Sequence, residues 1–224
     1  MKIIALLPMK GHSERVPNKN LRSFNGNPLF HIMLKKLDKV DIINEVIINT
    51  DSNEIAESAL KVSEKVIIIS RPRELCGDFV PMNDIIDYDI SNSDGDIYIQ
   101  THSTNPLLKT NTLEGALKFL IDFENKYDSI FSVTRHQSRF YNDKLDAVNH
   151  NPKELLRTQD LPPLYEENSC FYIFTKNSFI NNSKKRIGLN PYIYPMEKLE
   201  SVDIDEQDDF ILAELLHKYF PEYQ

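Results

Sequence analysis

Between Lys10 and Asn20 the sequence KGHSERVPNKN gathers three cations, Lys10, Arg15 and Lys19, with Ser13, Asn18 and Asn20. Fixed cations beside small polar groups and exposed backbone N–H groups are what a polyphosphate needs. Gly11 would let the backbone approach such a ligand closely, and Pro17 stiffens the loop. Far along the chain, Ser201-Val202-Asp203-Ile204-Asp205 sets two carboxylates at i and i+2. On an extended segment both project to one side, where they need a compensating cation or protons. Magnesium on a nucleotide is such a cation, because one or two protein carboxylates complete a shell shared with phosphate oxygens and water. The plain alternatives are a solvated basic loop and a strand-end cap before the last helix. Asp208 and Asp209 suit the cap role better.

The basic loop follows the apolar run Ile3-Ile4-Ala5-Leu6-Leu7, which reads as a first strand delivering a ligand loop at its C-terminal end. Leu29, Ile32, Met33, Leu37 and Val40 recur at helical spacing over Pro28 to Val40, with Pro28 at a first helical position; His31 reads as a surface or packed histidine. Glu45 to Thr50 predicts a second strand, with Asp51-Ser52 capping a helix over Glu54 to Val62. Lys65 to Ser70 predicts a third strand, followed by Arg71-Pro72-Arg73. A helix over Met82 to Ile90 leads to a strand over Asp96 to Thr101, whose exit His102-Ser103-Thr104-Asn105-Pro106 is polar. An amphipathic stretch, Thr112 to Asn125, precedes another strand, Ser129 to Thr134. Strands alternating with helices predict an α/β fold with a doubly wound, mostly parallel sheet, and the polar exits should converge at its C-terminal edge.

That rhythm breaks between Arg135 and Pro163, a polar, irregular excursion that reads as a substrate lid, a subunit-exchanging arm or a plain long loop. Regular structure resumes at Glu167 to Thr175, passes a basic turn NNSKKRIG and the segment Tyr192 to Asp205, and ends in a helix over Asp208 to Tyr219. No repeat or linker divides the chain, so one domain over 1–224 with an inserted arm at about 135–165 is expected.

Composition narrows the partners. With 26 Lys+Arg against 34 Asp+Glu the formal net charge is −8, which argues against a nucleic-acid backbone but not against one small phosphorylated ligand in a local basic pocket. No stretch approaches the roughly 18 apolar residues of a membrane span, and the N-terminal apolar run is too short for a signal-peptide core. Cys76 and Cys170 form no CxxC pair, which points to a reducing, cytoplasmic setting without structural disulfides.

The loop Lys10-Gly11-His12-Ser13-Glu14-Arg15-Val16-Pro17-Asn18-Lys19-Asn20 resembles the opening ARGGSKRIPxKN pattern of the acylneuraminate cytidylyltransferases, the CMP–sialic acid synthetase family. Ser70-Arg71-Pro72 with Leu75 and Asp78 is similar to the family's RPxxLAxD. Tyr98-Ile99-Gln100 with Thr104-Asn105-Pro106-Leu107 is similar to its LQPTSPLR, given a small insertion. Glu167-Asn168 with Phe171-Tyr172-Ile173 resembles ENGxFYI, and Val202 to Asp205 with Asp208-Asp209 resembles IDIDTPEDL. The matches stand in the family's order and span nearly the whole chain.

The resemblance implies transfer of CMP from CTP to a 2-keto-3-deoxy sugar acid, sialic acid or a related nonulosonic acid, with release of pyrophosphate. It gives Lys19, Lys10 and Arg15 the triphosphate, with Gly11 and Ser13 beside them. Asn20 would help hold the ribose, Arg71 the cytosine edge, and Asp78 would belong to the nucleotide site. Gln100 and Tyr172 would face the sugar acid, whose carboxylate would find a cation in the Arg135–Arg157 excursion or the 184–186 turn. Asp203 and Asp205 would hold Mg²⁺. A homodimer whose excursion reaches the partner subunit, and a place in cell-surface polysaccharide synthesis, are also implied. The sequence departs from the pattern at Lys10, His12 and Leu108, which marks a divergent member whose acceptor is left open between sialic acid and a related nonulosonic acid. A non-catalytic sugar-nucleotide-binding protein of the same fold remains the alternative. An NAD-dependent Rossmann enzyme is disfavoured because the first loop lacks GxGxxG.

Overall fold

The computed structural model describes residues 1–77 and 79–224; Asp78, assigned above to the nucleotide site, lies outside the described residues. The apolar runs become the strands of one seven-stranded sheet. These are β1 (Ile3–Leu6), β4 (Glu45–Thr50), β5 (Val66–Ser70), β6 (Ile97–Thr101), β7 (Ser129–His136), β8 (Leu164–Thr175) and β9 (Pro191–Met196). Their order is β5-β4-β1-β6-β8-β7-β9. β1 pairs parallel with β4 and β6, β4 with β5, and β7 with β9. β8 runs antiparallel to β6 and β7, so the sheet is mixed but mostly parallel. A separate two-stranded ribbon, β2 (Ser23–Phe24) and β3 (Asn27–Pro28), turns through Asn25 and Gly26, both at positive φ, as a tight hairpin requires.

Near-continuous hydrophobic strands are buried on both faces when helices cover both. Ile3, Ala5 and Leu7 pack beneath α1 (Leu29–Lys39), α2 (Asn53–Ala59) and α4 (Thr110–Asp122). Ile4 and Leu6 face the opposite layer, α3 (Met82–Ser91) and α5 (Lys176–Asn181). Pro28 proves to be the residue before the first turn of α1 rather than within it. Ser52 caps α2 as expected, its Oγ accepting from Ile55 N.

The excursion is the long tip of the β7–β8 hairpin, since His136 pairs with Leu164. Buried Asn149 stitches it by donating from Nδ2 to the carbonyls of Ser138 and Pro162 while accepting from Phe140 N. Leu145, Val148, Leu155 and Leu156 stand exposed on it. Among the described residues no helix is long and apolar enough to cross a membrane.

Candidate active site

Residues separated by most of the chain meet here because of an apolar clamp. Val16 from the basic loop and Ile204 from between the two aspartates are both wholly buried in one cluster with Phe24, Leu29, Ile32, Phe210 and Ala213. The segment 202–205 lies outside β9 and is not a strand. Its side chains nevertheless alternate: Ile204 turns inward, and Asp203 and Asp205 both line the cleft. Arg15 Nη2 donates to Asp205 Oδ1 at 2.6 Å, and Lys19 Nζ donates to the Ile204 carbonyl at 2.6 Å. Ile204 N in turn donates to Thr104 O at 2.9 Å, joining this segment to the exit of β6. The helix-capping role falls to Asp209 at the start of α6 (Gln207–Tyr219), whose Oδ2 accepts from the backbone N–H groups of Asp205 and Glu206.

The basic loop walls a cavity of about 390 Å³ that includes Lys10, Ser13, Arg15, Lys19 and Asn20. Asn20 is nearly buried and ties the cavity together: its Nδ2 donates to Lys10 O, and its Oδ1 accepts from Ser103 Oγ at 2.6 Å. Gly11 has a packing reason as well. Its N–H donates to Asp51 Oδ1, and a Cβ there would come within 2.9 Å of Ser52 Cβ, so the glycine lets the loop rest on the start of α2. It borders the neighbouring cavity with Asp51 and Ser52.

Two opposite pulls set the electrostatics. Burial pushes the Lys19 ammonium below its usual range, while Asp203 and Asp205 pull it back. Although solvent reaches Asp203, the crowding cleft raises its carboxyl above the usual range and Asp205 adds repulsion, against a Thr104 hydrogen bond and Lys19. A carboxylate destabilised this way favours a cation. Two carboxylates on one side of an extended segment fit a magnesium ion that takes its other ligands from phosphate and water. Among the described residues no cluster of three or more His, Cys, Asp or Glu offers an all-protein cage.

Beyond His102 and Thr104, which border both spaces, a second cavity of about 350 Å³ holds Asp203, Asp205, Ser169 and Arg186. Gln100, expected to face the sugar, is fully buried; its Oε1 accepts from Arg186 Nη1 at 2.6 Å. Tyr172 is buried too, and its ring lies 3.8 Å beneath the Arg186 guanidinium. Gln100 therefore reaches this cavity through Arg186, while Tyr172 borders a smaller cavity of about 190 Å³ beside Arg186 and Glu167. Arg71 turns back on Asn49, donating from Nε to Oδ1 and from Nη2 to the carbonyl, and is absent from the residues that line either cavity. Asn49 is braced in turn by donating to buried Asp89. His102 and Ser103 showed in the sequence as part of the polar exit after β6, whereas Ser169, within β8, had no signal.

A cleft at the C-terminal ends of β1 and β6, lined by cations and carboxylates, gives the molecule the architecture of an α/β nucleotidyltransferase. The chain belongs to the cytidylyltransferase family, which it matches over residues 4–222. It is 27% identical to the pseudaminic acid cytidylyltransferase of Campylobacter jejuni subsp. jejuni serotype O:23/36 (strain 81-176), over 97% of each chain. It is 30% identical to N-acylneuraminate cytidylyltransferase A of Danio rerio over 95% of its own length, spanning 50% of that protein. Its fold is similar to that of CMP:2-keto-3-deoxy-manno-octonic acid synthetase complexed with CTP, with a TM-score of 0.70 at 15% identity, covering 97% of this chain and 99% of the other.

Proposed function

We propose that this protein transfers CMP from CTP to a 2-keto-3-deoxy sugar acid of the nonulosonic class. The acceptor's anomeric hydroxyl oxygen bonds to the α-phosphorus and gives up its proton to solvent water, the bond from that phosphorus to the bridging oxygen breaks, and pyrophosphate leaves. Such a transfer depends chiefly on positioning and charge neutralisation. Lys10, Arg15 and Lys19 neutralise the triphosphate, with Ser13 beside them in the same cavity. Asn20 holds the ribose end and the loop's shape together, whereas Arg71, expected at the cytosine edge, is engaged with Asn49 and lines neither cavity. Asp203 and Asp205 would hold Mg²⁺, which supplies positive charge to the phosphate oxygens when bound. The observation that carries this reading is the pairing of Arg15 with Asp205 across one cleft, beside Lys19.

The arm, with Leu145, Val148, Leu155 and Leu156 exposed, supports a homodimer in which it packs on the partner subunit. Two free cysteines suit a cytoplasmic setting. The test is pyrophosphate release from CTP and Mg²⁺ across a panel of 2-keto acids that includes pseudaminic, N-acetylneuraminic and 3-deoxy-manno-octonic acids. Turnover with a nine-carbon acid supports the assignment. Tight CTP binding without turnover on any acid would identify a nucleotide-binding protein instead.

A further inference from the structure

His102 stands where the two cavities adjoin, and a chain of hydrogen bonds fixes which of its ring nitrogens carries the hydrogen. Arg186 Nη1 donates to Gln100 Oε1 at 2.6 Å, and the guanidinium is held 3.8 Å over the Tyr172 ring. Because a guanidinium only donates, buried Gln100 must turn its oxygen to Arg186. Its nitrogen then faces Thr101 O and His102 Nε2, 3.0 and 2.9 Å away. The two amide hydrogens go to those two acceptors, so His102 Nε2 bears none and the ring's hydrogen sits on Nδ1. Burial, then the charges of Arg186 and Lys19, pushes the imidazole down to about 4, in keeping with a neutral ring.

Nδ1–H has no protein acceptor among the described residues, yet it is not one of the polar atoms sealed away without a partner. It therefore opens on the space that His102 borders. The backbone beside it is fixed as well: Ser103 Oγ donates to Asn20 Oδ1, and Thr104 O accepts from Ile204 N. His102 also lies in the stretch 101–103 by which this chain lengthens the LQPTSPLR pattern, so no shared motif accounts for it.

With the triphosphate on the basic loop, the acceptor is left the cavity of Asp203, Asp205 and Arg186. The transferred phosphoryl group belongs first to one substrate and then to the other, so it must pass where these spaces adjoin. We propose that His102 is a catalytic residue whose Nδ1–H donates to a non-bridging oxygen of the α-phosphoryl group during transfer. The inference rests on the cytidylyl-transfer reading above. His102 neither gains nor loses a proton. The acceptor oxygen bonds to phosphorus and its proton passes to water, the bond to pyrophosphate breaks, and the imidazole N–H holds the charge on the non-bridging oxygen. A donor already aimed by Gln100 needs no reorganisation to do this.

The experiment compares the whole chain as wild type, His102→Asn and His102→Gln, with CTP, Mg²⁺ and the three 2-keto acids above. The Asn amide nitrogen can stand near Nδ1 and keep the donor, whereas the Gln amide reaches the Nε2 position and leaves Nδ1 without a replacement. His102→Gln should lose about 10²- to 10³-fold in kcat, the cost of one preorganised donor, and His102→Asn about tenfold or less. CTP affinity should stay within about threefold in both, since the bond counts most during transfer, and this also reports an intact fold. The kcat–pH profile of His102→Asn should keep the wild-type shape. Isotope-edited NMR of the histidine rings at neutral pH gives a readout without turnover. His102 should carry its hydrogen on Nδ1 alone, and that resonance should shift when the α,β-methylene analogue of CTP and Mg²⁺ are added. Hydrogen on Nε2, no shift with the analogue, equal losses in both variants, or an acid limb that vanishes in His102→Asn (the mark of a base) overturns the proposal. The Nδ1 shift with no acid turned over upholds the phosphoryl contact and defeats the transferase reading. Turnover that His102→Gln leaves unchanged does the reverse.

Discussion

Asp203 and Asp205 can be removed with little structural damage, and this separates a metal-binding pair from a structural one. The Arg15–Asp205 pair is 2.6 Å long but both side chains are more than half exposed, 59% and 51%. An exposed pair contributes about 0–1 kcal/mol, which in a domain of this size moves Tm by about 2–4 °C at most. Asp203→Asn relieves repulsion from Asp205 and keeps the side chain's shape, so its stability should match or slightly exceed wild type. Activity should respond very differently. Each substitution takes away a charged oxygen for a divalent ion, and losing one preorganised charge at a reacting phosphoryl group costs on the order of 10²–10³ in kcat. Pyrophosphate release, measured over a Mg²⁺ titration beside thermal unfolding, should show this loss with a nearly unchanged Tm. Part of the Asp205→Asn loss should return at high Mg²⁺. Near-wild-type rates in both variants, or a Tm fall of about 10 °C, would refute the reasoning.

Other perturbations test the supports. Ile204→Ala opens the cluster that holds basic loop and aspartates together; it should cost about 2–4 kcal/mol in urea unfolding and lower kcat/KM at temperatures where the variant is still folded. Gly188→Ala would bring a Cβ within 2.3 Å of Asp128 Oδ1, so the turn must shift; acceptor KM should rise while CTP affinity holds, as competition binding would show. Asp89 is wholly buried, and burial raises its carboxyl to about 7 against the pull of Asn49 and Arg71. Between about pH 4 and pH 7 the native state keeps a proton that the unfolded chain has lost, so stability falls as pH rises through that window. The total is about 4 kcal/mol for a shift of about three units. Asp89→Asn should remove this slope in urea melts at pH 4.5 and pH 8; parallel slopes in variant and wild type would contradict the assignment.

Most of the fold could be read from local pattern. Short β-branched runs alternating with helical periodicity marked β1, β4, β5, β6, α1 and α4 nearly where they stand, because burial on both sheet faces leaves continuous apolar runs in the sequence. The antiparallel course of β8 was not legible, because the same apolar run serves either direction and partners far away in the chain decide it. Individual site residues divide similarly. Lys10, Arg15, Lys19, Asp203 and Asp205 stood out by type and spacing and do border the cleft. Gln100 and Tyr172 stood out by motif but are buried, while Arg186, in the 184–186 turn that the resemblance offered as a source of a cation, lines the cavity above them.

By itself, then, the sequence determined which groups carry charge, which stretches must be buried and which family's motifs the chain shares, for these are set by residue type and near neighbours. Only the tertiary structure decided that Arg15 meets Asp205 and that Arg186 stands where Gln100 was expected. Both depend on long-range packing, of Val16 against Ile204 and of a loop pinned by Asp128, and no local pattern encodes which distant surfaces will close on one another.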